Sequence, residues 1–136
     1  MTYVPATLRR LVRDRARERC EYCLLPDAVG FYPHEIDHVV AEKHDGQTIA
    51  SNLCLSCWVC NRYKGSDLTS LDPQTGAVIA LFHPRRDRWD EHFRLRGAEI
   101  DGLTPQGRTT VRLLHVNAPE QVEVRAALIA LGQYPS

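Results

Sequence analysis

Apolar residues near the start of the chain recur at helical spacing. Leu8, Leu11, Val12 and Ala16 fall close to a 3.6-residue period, the mark of an amphipathic helix. Thr7 stands where a capping oxygen is wanted, so a helix is predicted over residues 7–19. It runs into Cys20-Glu21-Tyr22-Cys23, and a loop containing Pro26, Asp27 and Gly30 follows. Residues 31–40 then read as strand. Polar residues dominate 41–51, around His44-Asp45-Gly46, and predict a loop. A short strand is expected over 53–55, and a short helix over 58–64 that Gly65 stops.

The texture changes at Asp72. Asp72-Pro73-Gln74-Thr75-Gly76 is a turn signal, and short strands are expected around 77–82, 93–96 and 99–100. Thr104-Pro105 opens a helix with proline at its first position, running to about His115. Asn117-Ala118-Pro119-Glu120 opens a last helix, to Leu131, ended by Gly132. The chain shows no internal repeat and no low-complexity stretch. Its 136 residues are the length of one domain, with the chemistry concentrated in 20–66 and an accessory region over 72–136.

Composition narrows the class of partner. With 43% hydrophobic and 25% charged residues the chain has the balance of an ordinary soluble globular protein. No apolar run is long enough to cross a bilayer, and Met1-Thr2-Tyr3-Val4-Pro5 lacks the pattern of a secretory leader. A cytoplasmic location is expected, where the five cysteines stay reduced and point to metal rather than disulfides. Net charge is zero, with 17 basic and 17 acidic residues, whereas dedicated nucleic-acid binders carry a basic excess. Clustering partly answers this. Arg9, Arg10, Arg13, Arg15, Arg17 and Arg19 crowd one segment, and Arg85, Arg86 and Arg88 another. Arg9, Arg13 and Arg17, four apart, would share one helical face and could clamp phosphates; a solvated helix face is the competing reading.

Cys20-x-x-Cys23 and Cys57-x-x-Cys60 are two short-spaced pairs. Two residues between thiolates let a tight turn aim both sulfurs at one ion, and two such turns complete the tetrahedron of a structural Zn²⁺. The stretch between them is longer than in an ordinary zinc ribbon, so something is inserted between the knuckles. Cys54-x-x-Cys57 has the same spacing. Cys54, however, falls between Leu53 and Leu55 in a strand pattern where a free buried cysteine is at home, which favours Cys57 with Cys60. A thioredoxin-like redox role lacks its βαβ context.

Between the knuckles lies His34-Glu35-Ile36-Asp37-His38-Val39-Val40, then Asn52-Leu53, then Cys60-Asn61-Arg62-Tyr63-Lys64-Gly65. Asp-His closing an apolar strand, Asn-Leu about fourteen residues on, and a CxxC-Asn-x-x-Lys-Gly after that resembles the HNH endonuclease family. The likeness is to its four-cysteine subgroup, with asparagine in the place of the final histidine. It covers residues 20–66, about a third of the chain. The tail, with Pro84-Arg85-Arg86, Trp89-x-x-His92-Phe93 and Gly102-Leu103-Thr104-Pro105, is similar to a group of small bacterial HNH proteins.

The resemblance implies an α+β fold in which a small ββα-metal core sits between two zinc knuckles with flanking helices. It also implies a metal-dependent endonuclease that hydrolyses phosphodiesters in DNA. Residue chemistry agrees. His38 suits a general base near neutral pH. Asp37 and Asn61 offer oxygen ligands for Mg²⁺ or Mn²⁺, an ion that keeps most of its waters and acts as Lewis acid toward the phosphate. By resemblance Asn52 ties the loop to the backbone near His38. Lys64 and Arg62, on the same short helix, are candidate phosphate contacts. Adjacent residues on a regular strand face opposite sides, so Asp37 and His38 can share a site only if the strand ends or bulges there.

Two other readings stand beside the nuclease. One is a zinc-stabilised nucleic-acid-binding module without cleavage activity; the other is a purely structural zinc protein. His34, His44, His83 and His115 read as surface or capping groups, and Trp58 and Trp89 as core rather than base-stacking platforms. His92 is the histidine outside the motif with the most distinctive setting.

Overall fold

The computed structural model describes residues 3–29 and 32–135, so the Gly30 and Phe31 ends of the predicted loop and strand lie outside the described residues. Its elements run α1 (Ala6–Arg15), β1 (Glu35–His38), β2 (Leu53–Ser56), α2 (Trp58–Lys64), β3 (Thr69–Leu71), β4 (Val78–Ala80), α3 (Trp89–His92), β5 (Phe93–Arg96), β6 (Glu99–Gly102), α4 (Pro105–Leu113) and α5 (Pro119–Ala130). The strands form three two-stranded antiparallel sheets, β1–β2, β3–β4 and β5–β6. Helices and small sheets are mixed, and among the described residues no helix is long and apolar enough to cross a membrane.

The hairpin β1–β2 is the centre of the arrangement, because hydrophobic clusters lie on both of its faces. On one side Leu53 and Leu55 are fully buried with Val12 and Ala16, and Val4, Leu8 and Ile36 pack around them. On the other, Cys54 joins the four remaining cysteines, Tyr22, Val39, Phe82, Phe93 and Ile100. With both faces covered, β2 is buried at every position rather than alternating. Its register against β1 pairs Asp37 with Cys54 and His38 with Leu53.

Helix α1 is shorter than its periodicity predicts. Pro5, not Thr7, is the residue before the first turn, and among the described residues no side chain caps it. The helix stops at Arg15, and Arg17 and Glu18 both take left-handed φ values of 56°, a conformation costly for residues with a Cβ. The turn brings the chain round so that Arg19 bridges Pro26 and Cys20 enters the core. Leu11 is 47% exposed, since it lies on the far side of Leu8 from Val12 and Ala16. Arg15 instead reaches across, donating to the carbonyls of Ala50 at 2.8 Å and Leu53 at 2.6 Å.

The tail beyond residue 72 holds the first cysteine turn in place. Three successive residues of that turn are each gripped by one tail side chain. Arg85 pairs with the Glu21 carboxylate, the Trp89 indole donates to Tyr22 O at 2.8 Å, and the Tyr134 hydroxyl donates to Cys23 O at 2.8 Å. Within the tail, Thr104 caps α4 by accepting from Gly107 N at 3.0 Å and meets His92 Nδ1 at 2.7 Å. His92 therefore secures a junction of the tail. A Cβ on Gly107 would sit 2.1 Å from His92 O, so glycine is required there. Arg108 forks onto Asp72 at 3.1 and 2.7 Å and holds that carboxyl down to about 2.

The strands also differ from the sequence expectation, β4 pairing only over Val78–Ala80 of 77–82. Strand was expected over 31–40, but pairing is confined to Glu35–His38. Strand β3 and the single turn α3 carried no clear periodic signal, and β3 exists because it pairs with β4, Leu71 opposite Val78.

Candidate functional site

Helix α2 builds one side of the site from local chemistry. The Cys57 Sγ accepts from Cys60 N at 3.4 Å at its start, and Gly65, with φ 51°, ends it. Both sulfurs of this pair are thereby turned inward. They meet Cys20 and Cys23, and the four Sγ atoms lie within 4.8 Å of one another, all buried. Four thiols at that separation match the donor set of a tetrahedral zinc site. Cys54 stands outside the cluster with its Sγ toward the Tyr22 hydroxyl at 3.9 Å. Burial raises the Cys54 thiol well above its ordinary range, as befits an inert core cysteine.

His38 is the last residue of β1. Its Nε2 meets Thr48 Oγ1 at 2.8 Å; among the described residues Nδ1 has no such partner. The ring opens on a cleft of about 540 Å³, lined also by Arg9, Arg13, Glu35 and Glu42. Behind the histidine, Asn52 spans the β1–β2 loop. Its Nδ2 donates to Val40 O and Gln47 O, both at 2.9 Å. Its Oδ1 accepts from Val40 N at 2.9 Å.

Asp37 leaves the opposite face of β1 from His38, but pairing stops at that residue, and Glu35, which shares the Asp37 face, also lines the cleft of His38. The Asp37 Oδ2 is buried and has no hydrogen-bond partner among the described residues. Burial pushes its carboxyl above the usual carboxylate range, although the Lys64 ammonium and His38 pull the other way. Glu35, two residues earlier on the same face of the strand, accepts from Asn61 Nδ2 at 2.5 Å. Asp37, Glu35 and Asn61 are thus gathered on one side of the hairpin. Sequence reading missed both Glu35 and Thr48. The two-residue spacing of Glu35 and Asp37 was a usable signal for the first; nothing local marked Thr48.

Other expected contacts fall elsewhere. Lys64 is 2% exposed, and its Nζ donates to Val39 O at 2.9 Å, so it anchors α2 to the end of β1 and is not presented to a phosphate. The stripe of Arg9, Arg13 and Arg17 does not exist as one face, because α1 ends before Arg17. Arg13 is engaged with Asp27 at 2.6 Å, Glu18 at 3.2 Å and His34 O at 3.1 Å. Burial works against the Asp27 charge, but the His34 amide and Arg13 outweigh it and lower that carboxyl. Arg9 is exposed, lines the cleft and has no ion pair among the described residues. Arg62 lies over the Trp58 ring at 4.9 Å. His34, expected at the surface, is 3% exposed, its Nε2 meeting Leu25 O at 2.7 Å.

The β1–β2 loop is the least forgiving part of this scaffold. A Cβ on Gly46 would sit 1.7 Å from Val40 O, so the loop must open to accept one. Gly46→Ala is expected to destabilise the protein by on the order of 2 kcal/mol or more. Thermal melting checks it, and an unchanged melting temperature would mean that the loop is slack rather than closed around Asn52.

Comparison with known proteins returns a family and no individual relative. The HNH endonuclease family model matches residues 20–67, the span that begins at Cys20 and ends just past Gly65. No curated protein and no solved structure matches the chain. Residues 20–67, whose two ends supply the four-cysteine cluster, match the HNH endonuclease family model over about a third of the chain.

Proposed function

We propose that the protein is a metal-dependent HNH endonuclease that hydrolyses phosphodiester bonds in DNA, with β1, β2 and α2 as its ββα-metal core and the whole chain as one domain. The observation that carries this reading is Asp37: a carboxylate with a buried oxygen that has no partner among the described residues, two residues from the Glu35 that holds Asn61, in a segment that matches a nuclease family. Leaving a buried charged group unsatisfied costs about 1–3 kcal/mol or more, and a hard cation supplies the missing partner. Asp37 and Asn61 offer few, all-oxygen ligands, which suits Mg²⁺ or Mn²⁺ and leaves room for water and phosphate.

Each residue then has a role. A divalent cation held by Asp37 and Asn61 would neutralise charge on the phosphate and on the departing 3′ oxygen. With Nε2 donating to Thr48, His38 Nδ1 takes the proton of the attacking water, whose oxygen bonds to phosphorus as the P–O3′ bond breaks. Asn52 positions this histidine by closing the loop behind it. Glu35 is a positioning residue, holding the Asn61 amide by its NH₂ so that Oδ1 is free for the cation. A Zn²⁺ on Cys20, Cys23, Cys57 and Cys60 fixes Cys60, and with it the direction of Asn61. Incubating plasmid with the purified protein and Mg²⁺ or Mn²⁺ tests the reading. Cleavage that needs the added ion is expected; cleavage undiminished by EDTA, with zinc still bound, removes the mechanism. Nucleic-acid binding with no cleavage under any divalent ion would favour the binding-module alternative.

Arg9 is the phosphate contact of the cleft in this proposal. Arg9→Gln should weaken DNA binding and flatten the plot of log affinity against log salt by roughly 0.9. Arg10→Gln, one residue away and outside the cleft lining, should leave that slope unchanged. Equal slopes for Arg9→Gln and the parent protein would make Arg9 an ordinary solvated side chain.

A further inference from the structure

A ladder of flat side chains stands on the surface next to the proposed metal ligands. Tyr32, 58% exposed, stacks on Trp58 with ring centroids 4.9 Å apart and planes 20° from parallel. The Arg62 guanidinium lies 4.9 Å from the Trp58 ring centroid. Trp58 and Arg62 are four residues apart on α2 and share a face, and Asn61 is the neighbour of Arg62 in that helix. Beside the ladder, Tyr32 and Trp58 form the rim of a cavity of about 240 Å³, walled by Leu25, Val29 and Val59 with the Gln121 amide at its edge.

Packing alone accounts poorly for this group. A tyrosine that covers a tryptophan for stability gains by burial, yet more than half of Tyr32 remains in water. Stacked aromatic rings with a guanidinium over one of them are instead what stacks on a nucleobase, whatever its identity. In a duplex both faces of every base are covered by its neighbours, so only an unpaired or splayed base can add to the stack.

We infer that the Tyr32–Trp58–Arg62 ladder, with the cavity beside it, takes an unpaired nucleobase and directs the site to single-stranded, gapped or frayed nucleic acid. The inference rests on the nuclease reading for its ligand class. It deepens that reading by stating which form of substrate is held.

Tryptophan fluorescence of the zinc-loaded protein tests it, titrated without divalent cation with a short thymidine oligomer or with a hairpin duplex of equal length. The single strand should quench Trp58, and the quenching should be absent from Trp58→Phe, which retains Trp89. Tyr32→Ala should weaken single-strand binding by about tenfold and leave duplex binding unchanged, whereas Tyr32→Phe, which keeps the ring, should bind as the parent does. Zinc content equal to the parent's shows that each variant is folded. If Tyr32→Ala binds both nucleic acids as the parent does while plasmid cleavage persists, the ladder is not a platform and the nuclease reading stands. If the parent protein binds neither nucleic acid and cuts no plasmid, the nuclease reading fails and the ladder loses its ligand with it.

Discussion

Replacing His38 by alanine is expected to reduce cleavage by on the order of 10²–10⁴-fold, the usual cost of removing a general base, while fold, zinc content and DNA binding stay close to the parent's. The reason is positional. His38 ends β1 with its ring toward the open cleft and one nitrogen already engaged by Thr48, so the ring is only half-buried and its loss leaves no large internal void. Single-turnover cleavage at saturating DNA, compared with the parent, measures the effect on chemistry alone. A variant that cuts at the parental rate would take the base away from His38. Asp37→Ala should also lose activity, with partial recovery at high Mn²⁺, because water can replace one ligand when the ion is abundant. These two variants therefore separate the proton acceptor from the cation site: added Mn²⁺ should rescue the second and not the first.

The second large effect is on stability. Cys57→Ser is expected to lose zinc and unfold or loosen the domain, and Cys54→Ser to keep a full zinc complement. Structural zinc in small cysteine sites carries apparent free energies of about 10–16 kcal/mol, more than the ~5–15 kcal/mol by which a whole domain is usually stable. The sulfurs of Cys20, Cys23, Cys57 and Cys60 sit in the main hydrophobic cluster, so removing the ion would leave four thiols crowded together with no partner of comparable strength. The Cys54 Sγ, by contrast, lies toward the Tyr22 hydroxyl at 3.9 Å and is not one of the four clustered sulfurs. Metal analysis of the two purified variants decides the matter, and zinc lost from Cys54→Ser but kept by Cys57→Ser would reverse the ligand assignment. Chelation should have a second consequence. Since Cys60 immediately precedes Asn61, removing zinc should abolish binding of the catalytic cation before the whole chain unfolds.

What could be read along the chain was whatever depends on near neighbours in sequence. The end of α2 follows from Gly65, which stops it with φ 51°. The start of α4 follows from Thr104 with proline behind it. The four metal-site cysteines follow from paired spacing, and the choice of Cys57 over Cys54 from the strand pattern around Cys54. Contacts over long separations were decided only by the tertiary structure. Periodicity carries α1 on past Arg15, but Cys20 must turn into the core, and that requirement forces Arg17 and Glu18 into a conformation their own preferences oppose. Lys64 reads as an exposed cation and is buried, because its ammonium meets the Val39 carbonyl across the hairpin. Glu35 and Thr48 look like ordinary loop and strand polar residues until Asn61 and His38, 26 and 10 residues away, close on them. Local spacing specifies which atoms a residue offers; the partner that uses them is set by the packing of hairpin, helix and tail around one cluster of sulfurs.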